Sequence, residues 1–239
     1  MAKHGKKYLA ALEKIDRQRL YSPEEAIKIA KEVAPAKFDE TVELHIRLGI
    51  DPRHSDQQIR STVILPYGLG KTVRILVFAE GEAARTAQEA GADIVADDEV
   101  IAKIANESWT EFDVALAVPD MMRKIGRLGK VLGRKGLMPN PKAGTLVQPE
   151  DIPRAIEEAR AGRVEFRNDK TANLHIPIGK ASFSEEQLVG NMGAVMDAVR
   201  RARPAGAKGT YARRVVLTTT MGPGIRIDPN VALAMSITA

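Results

Sequence analysis

Two kinds of strand pattern occur in this chain, and their order constrains the fold more than any other feature. Residues 41–50 alternate strictly, with Val42, Leu44, Ile46, Leu48 and Ile50 on one side and Thr41, Glu43, His45 and Arg47 on the other. That is the signature of a strand with one buried face. Residues 73–79 and 112–118 are instead almost wholly apolar, the pattern of parallel strands covered on both faces. Alternation then returns in 164–167, 174–178 and 213–220. Half-buried strands at both ends enclosing buried strands in the middle predict a split α+β domain with a second, α/β domain inserted into it.

Helix signals fit this division. Tyr8, Leu12 and Ile15, with Leu9 beside them, recur at helical spacing near the start. Ser22, Pro23 and Glu25 form a capping box before an apolar-periodic run that Pro35 ends. Helical patterns over 82–90, 98–107 and 149–161 alternate with the apolar strands, which predicts a three-layer α/β domain. A long helix over 184–203 opens on Ser184 with Gln187 three residues on.

Composition excludes several function classes. With no cysteine, there is neither a disulfide framework nor a thiolate centre, and a reducing compartment fits. His4, His45, His54 and His175 lack metal spacing, and no nucleophile elbow is present. The expectation is no cofactor, no metal, no small-molecule substrate and no enzyme. The basic N-terminal segment has no apolar signal-peptide core, and no run of about 18 apolar residues exists. A cytoplasmic protein with no membrane partner is expected. Gly68-Leu69-Gly70-Lys71-Thr72 imitates the end of a phosphate loop, but Leu65 stands where the pattern needs glycine and a strand, not a helix, follows. Pro66, Gly68 and Gly162 are better read as a hinge between domains.

The charge points to RNA. Lys and Arg outnumber Asp and Glu by only 36 to 31, yet the surplus is concentrated. Residues 123–142 hold Arg123, Lys124, Arg127, Lys130, Arg134, Lys135 and Lys142 with no carboxylate, spaced by glycines and closed by Pro139 and Pro141. A second acid-free run holds Arg200, Arg201, Arg203, Lys208, Arg213 and Arg214. Such runs suit salt-sensitive phosphate binding, while for 123–142 a plain solvated basic loop is an equally open reading on composition alone. Acidic residues gather elsewhere in the central domain, including Glu80 and Asp98, so faces of opposite sign are expected there. Thr218 and Thr220 share a strand face, and their hydroxyls suit a ribose 2′-OH or a base edge, although threonine is also ordinary in strands. For Phe38, stacking on a nucleotide and burial at a strand start remain equally open.

The chain also resembles the "L one" family of large-subunit ribosomal proteins. The resemblance is carried by GRLGKVLGRKGLMPNPKAGT, KFDETVELHIRLGIDPRHSDQQIRSTVILPYGLGKTVRILVFA, VEFRNDKTANLHIPIGKASF and TTTMGPGIRID, and covers essentially the whole chain. It implies a domain of residues 1–67 and 162–239 that binds 23S-type rRNA, and an inserted domain of 68–161 whose basic run faces exit-site transfer RNA. It implies rRNA contacts at Lys37, Phe38, Arg167, Asp169, Lys170, Thr171, His175, Thr218, Thr220, Met221 and Gly222. It further implies a mobile stalk of the ribosome that helps release deacylated transfer RNA, and repression of the protein's own operon mRNA. A free-standing messenger-RNA regulator is the alternative. The sequence departs from the family pattern at Ala172, usually glycine, at Arg134-Lys135, usually Pro-Arg, and at Ala143, usually threonine.

Overall fold

A computed structural model describes residues 5–236 of the 239-residue chain; His4 lies outside them. The chain divides into two compact units, one running to Gly70 and resuming at Gly162, the other from Lys71 to Ala161.

The first unit begins with α1 (Lys6–Glu13), α2 (Pro23–Glu32), β1 (Thr41–Leu48) and β2 (Arg60–Ile64). The second supplies β3 (Ile75–Phe78), α3 (Glu82–Glu89), β4 (Ile94–Ala96), α4 (Asp98–Glu107), β5 (Val114–Ala117), α5 (Met122–Ile125), α6 (Gly129–Lys135) and α7 (Ile152–Arg160). The first then resumes with β6 (Arg163–Arg167), β7 (Asn173–Lys180), α8 (Glu185–Arg201), β8 (Ala212–Thr219), β9 (Ile225–Ile227) and α9 (Pro229–Ala234).

In the first unit β1 lies between β7 and β8 in an antiparallel sheet of order β7-β1-β8-β9, while β2 pairs with β6 in a separate two-stranded sheet. Strands that precede the second unit are therefore paired with strands that follow it. Alternation in β1 sends Val42, Leu44, Ile46 and Leu48 into a core with Ile27 of α2 and Leu188, Met192 and Val195 of α8, all at most 1% exposed. Both capping boxes form, Ser22 with Glu25 and Ser184 with Gln187. Helix α1 buries Ala11, half-buries Tyr8 and Leu12 and leads into buried Ile15, so the face marked by its periodicity is the inner one, and only Leu9 departs from it by being exposed.

In the second unit β3 is central in a parallel sheet of order β4-β3-β5. Every residue of β3 is fully buried, because its two sides feed two cores. Leu76 and Phe78 pack with Ile101, Ile104, Ile125, Leu128 and Leu132, whereas Ile75 and Val77 pack with Ala87, Ile152 and Ile156. This explains the unbroken apolar run. No helix among the described residues is long and apolar enough to cross a membrane.

Candidate nucleic-acid interface

Helices cover one face of the four-stranded sheet, and the other carries the out-pointing residues of β1 and their cross-strand partners. Glu43 lies between Pro177 and Thr218, His45 between His175 and Val216, and Arg47 between Asn173 and Arg214. None of these is buried. The expected rRNA residues gather at the two ends of this face. An eight-residue strand such as β1 spans about 23 Å at roughly 3.3 Å per residue, so the two groups are well separated.

At the start of β1, Glu40 organises a corner. It is only 1% exposed, and its carboxylate accepts from the Ala36 N–H and the Met221 N–H, each at 2.8 Å. One side chain thus ties the segment before β1 to the turn after β8. Asp39 holds the same segment by accepting from the Ser182 N–H at 3.0 Å and its hydroxyl at 2.8 Å. On this fixed backbone Phe38 and Met221 are each 57% exposed, and Lys37 is exposed beside them. The open choice for Phe38 is settled against burial. Glu40 was not among the expected contacts, but carrying the β1 alternation one step back, to the side of Val42, reveals its inward position.

The hydroxyls of Thr218 and Thr220 are bonded within the fold. The Thr220 hydroxyl accepts from the Thr41 N–H at 3.0 Å and donates to the Thr41 carbonyl at 3.4 Å. The Thr218 hydroxyl donates to the carbonyls of Thr219 at 3.0 Å and Gly222 at 3.1 Å. Both protons are engaged within the fold, so toward a ligand these oxygens are acceptors. Thr219 is 2% exposed, and its hydroxyl oxygen has no partner among the described residues. A Cβ on Gly222 would lie 2.3 Å from that oxygen. Gly222 is therefore required by the turn itself, before any ligand arrives.

At the far end of β1, Asp169 shapes the loop between β6 and β7. One of its oxygens accepts from the N–H groups of Thr171 and Asn173 and from the Thr171 hydroxyl, all at 2.8 Å. Burial pushes the Asp169 carboxyl up, but these bonds, led by the Asn173 N–H, outweigh it and hold it well below the usual carboxylate range. Asp169 and the Thr171 hydroxyl thus serve the loop, which leaves Lys170 and Arg167 exposed. Ala172 has φ +63°, a left-handed conformation that costs a residue with a Cβ about 1–2 kcal/mol. The glycine expected here would adopt it freely.

Between the two ends, the Nδ1 atoms of His45 and His175 lie 2.7 Å apart. Burial, then the facing His175, lowers the His45 pKa against a weaker upward pull from Glu43. No group of metal-binding side chains occurs among the described residues.

Of the C-terminal arginines, Arg200 and Arg201 each bond the buried carboxylate of Asp197 at 2.5 Å. Arg203 donates to the carbonyls of Ala207 at 3.1 Å and Gly209 at 3.2 Å and lies over the Tyr211 ring. These three are engaged within the fold. Arg213 and Arg214 point outward and have no ion-pair partner among the described residues.

In the second unit the glycine-spaced run is largely helical, spanning α5, a 3-10 turn at Gly126–Leu128, and α6. Ile125, Leu128 and Leu132 face the core, while Arg123, Arg127, Lys130, Arg134, Lys135 and Lys142 are exposed. Lys124 instead pairs with Glu80 and lies 3.6 Å from Asp98, so the basic run meets the acidic cluster there rather than facing away from it throughout. Lys71, in the phosphate-loop imitation, is bound to Asp113.

Comparison with known proteins agrees with this architecture. Residues 30–223 match the model of the ribosomal protein L1p/L10e family. A large ribosomal subunit protein uL1 of Chloroflexus aggregans is 62% identical over 228 residues, covering 95% of this chain and 96% of that protein. A protein of the same name in Dehalococcoides mccartyi is 54% identical over 235 residues, covering 98% and 99%. On the extent and level of these matches, the chain belongs to the ribosomal protein L1p/L10e family.

Proposed function

We propose that the chain is a structural constituent of the large ribosomal subunit and binds large-subunit rRNA through the open face of its four-stranded sheet. The observation that carries this reading is the corner at Glu40, where Phe38 and Met221 stand exposed on fixed backbone beside Lys37 and the acceptor oxygens of Thr218 and Thr220. Flat apolar groups suit an unstacked base, a cation suits a phosphate, and acceptors suit 2′-hydroxyls or base amino groups. Arg167, Lys170 and His175 extend the surface along β1. It is a binding protein, not an enzyme.

In the finer reading, the protein and its rRNA form a mobile stalk, and the exposed cations of the second unit touch exit-site tRNA as it leaves. Arg123, Arg127, Lys130, Arg134, Lys135 and Lys142 offer exposed charge, which fits transient phosphate contact. Pro66, Gly68 and Gly162 serve as the hinge; Gly68 and Gly162 have φ +64° and +99°, and a Cβ on Gly162 would lie 2.5 Å from the Gly68 Cα. Repression of the protein's own operon mRNA is a second role, because a messenger segment imitating the rRNA site would meet the same corner.

The test is crosslinking of the protein in cells followed by sequencing of the bound RNA, with affinity measured on the recovered site. Large-subunit rRNA should dominate, with the operon mRNA as a minor partner. Phe38→Ala and Met221→Asp should each weaken binding by about 1–3 kcal/mol, the range for removing a stacking or specific interaction, and Lys142→Ala far less. Recovery of messenger RNA alone would favour the free-standing regulator, and equal losses for all three variants would remove the corner from the site.

A further inference from the structure

We propose that the cleft at the carboxyl edge of the second unit's parallel sheet binds a linear aliphatic polyamine, with ammonium groups on the carboxylates of its rim and methylene groups over its apolar floor. The cleft has a volume of about 580 Å³, in the range of small-molecule sites. It uses none of the side chains proposed above for RNA contact, so the two readings stand or fall separately.

The cleft follows from the way the sheet is wound. Strands β3 and β5 are parallel neighbours, yet the chain leaves them toward opposite faces. From β3 it passes Glu80 into α3, whose Ala87 packs with Ile75 and Val77; from β5 it passes Val118 into α5, whose Ile125 packs with Leu76 and Phe78. The two connections therefore diverge and leave a crevice beyond the strand ends. Ligands of open parallel sheets bind at such a point, where the direction of winding reverses. The lining comes from these connections, with Glu80, Glu82 and Thr86 from the first and Val118, Asp120 and Met121 from the second, and the segment before α7 adds Pro149 and Glu150.

The lining identifies the ligand. Crevices of this kind commonly take a phosphate at a helix N-terminus, but here the charge has the other sign. Glu80 and Glu82 flank the start of α3, Asp120 and Glu150 complete the rim, and Lys124 is the one cation among the lining side chains. Glu82, Asp120 and Glu150 are exposed and have no ion-pair partner among the described residues. Four carboxylates against one ammonium repel an anion and attract a polycation. The Thr86 hydroxyl donates to the Glu82 carbonyl at 3.1 Å, so toward a ligand its oxygen accepts too. Val118 and Met121 are buried, and with Ala83 and Pro149 they give the cleft an apolar floor. A compact metal ion would leave that floor uncovered, and no three carboxylate or imidazole groups are placed to hold one among the described residues.

Lys124 shows what fits. Its ammonium bonds Glu80 and lies 3.6 Å from Asp98, so an aliphatic chain ending in an ammonium already occupies one corner of the cleft. A polyamine is the same unit repeated, and it can reach the carboxylates that Lys124 leaves unpaired. A lysine side chain from a partner protein would bring one ammonium on a bulky backbone, whereas three unpaired carboxylates around one floor favour several ammonium groups on a slender chain. The protein as a whole carries a formal charge of +5, which opposes non-specific capture of a polycation and confines the attraction to local acidic sites.

The experiment titrates spermidine into the intact chain by calorimetry at low ionic strength, with Mg²⁺ and tetralysine in parallel, while the NMR shift of the Met121 methyl reports occupancy of the cleft. We expect one saturable spermidine site with the same midpoint in both readouts. Asp120→Asn combined with Glu150→Gln should weaken it by about tenfold, within reach of two exposed ion pairs, and Lys124→Gln, which frees Glu80, should tighten it by about threefold. Glu107→Gln combined with Glu111→Gln removes the same charge outside the lining and should leave the affinity unchanged; equal thermal midpoints show that all variants are folded. Wild-type affinity in the rim double variant, or an equal loss in the control, overturns the proposal. So does a Met121 shift at lower concentrations of Mg²⁺ than of spermidine, which would make the cleft a site for a compact dication. Binding of tetralysine without binding of spermidine overturns it as well, by assigning the cleft to a basic protein partner.

Discussion

Replacing Asn191 by leucine should loosen the segment by which the chain leaves the first unit. Asn191 sits on α8, is fully buried, and engages three backbone groups. Its amide donates to the carbonyls of Ile178 at 2.7 Å and Gly68 at 2.9 Å, and its oxygen accepts from the Tyr67 N–H at 3.0 Å. Leucine is close in size, so the main effect is the loss of these partners. The Ile178 carbonyl is deeply buried, and stranding it costs about 2 kcal/mol; the partly buried Gly68 and Tyr67 groups reach some water and cost about 1 kcal/mol each. Leucine's greater apolar burial returns about 1–2 kcal/mol, leaving a net loss of about 2–3 kcal/mol. Trp109, the sole tryptophan, lies in the other unit, so urea unfolding is followed by far-UV ellipticity. Hydrogen exchange at the Tyr67 amide supplies the local readout and should quicken more than exchange in β1. A variant within about 0.5 kcal/mol of wild type, the range of neutral surface changes, with an unchanged Tyr67 exchange rate would refute the reasoning.

Two further predictions test the sheet face. Gly222→Ala should destabilise the fold by about 1–3 kcal/mol through overpacking against the Thr219 hydroxyl, and adding Thr219→Ala should recover part of that loss; strictly additive effects in denaturation would show that the two residues do not collide. The His45 pKa lies below its ordinary 6.5 in the fold, so the unfolded chain takes up the proton first on acidification. The associated stability is present above pH 6.5 and is lost as pH falls through the lowered folded value. Thermal midpoints between pH 7 and 5 should therefore fall less steeply in His45→Gln than in wild type, and parallel curves would remove His45 from the pH response.

The parts of this fold legible in the sequence are those governed by local periodicity. Strict alternation in 41–48 reports one buried face, and the apolar run at 75–78 reports two, because in each case the pattern is the direct imprint of what the side chains touch. The capping boxes at Ser22 and Ser184 are likewise local. Partner choice is not: that β2 leaves the main sheet to pair with β6, or that β8 lies beside β1, depends on contacts about a hundred or more residues apart. The helical form of the glycine-spaced run was also hidden. Gly126, Gly129 and Gly133 weaken helix propensity, by about 1 kcal/mol each, and the apolar stripe of Ile125, Leu128 and Leu132 against the parallel sheet overrides them.

Charge read along a sequence says which segments are basic but not which cations are free, and that difference determines the candidate surface. Arg200, Arg201 and Arg213 belong to one acid-free run, yet the first two meet a buried Asp197 from the same helix, whereas a one-residue bulge turns the third outward. Lys124 and Arg127, three residues apart, divide in the same way, since only Lys124 reaches Glu80. The hydroxyls repeat the lesson for polar recognition. Thr218 and Thr220 have the residue type expected of an RNA contact, but their protons are committed to backbone carbonyls. On the proposed reading, recognition at the corner rests on what remains: exposed faces at Phe38 and Met221, a cation at Lys37, and hydroxyl oxygens as acceptors. In the proposed interface, such a surface suits a ligand with donors where a ribose carries its 2′-hydroxyl, a group that the charge runs alone do not read.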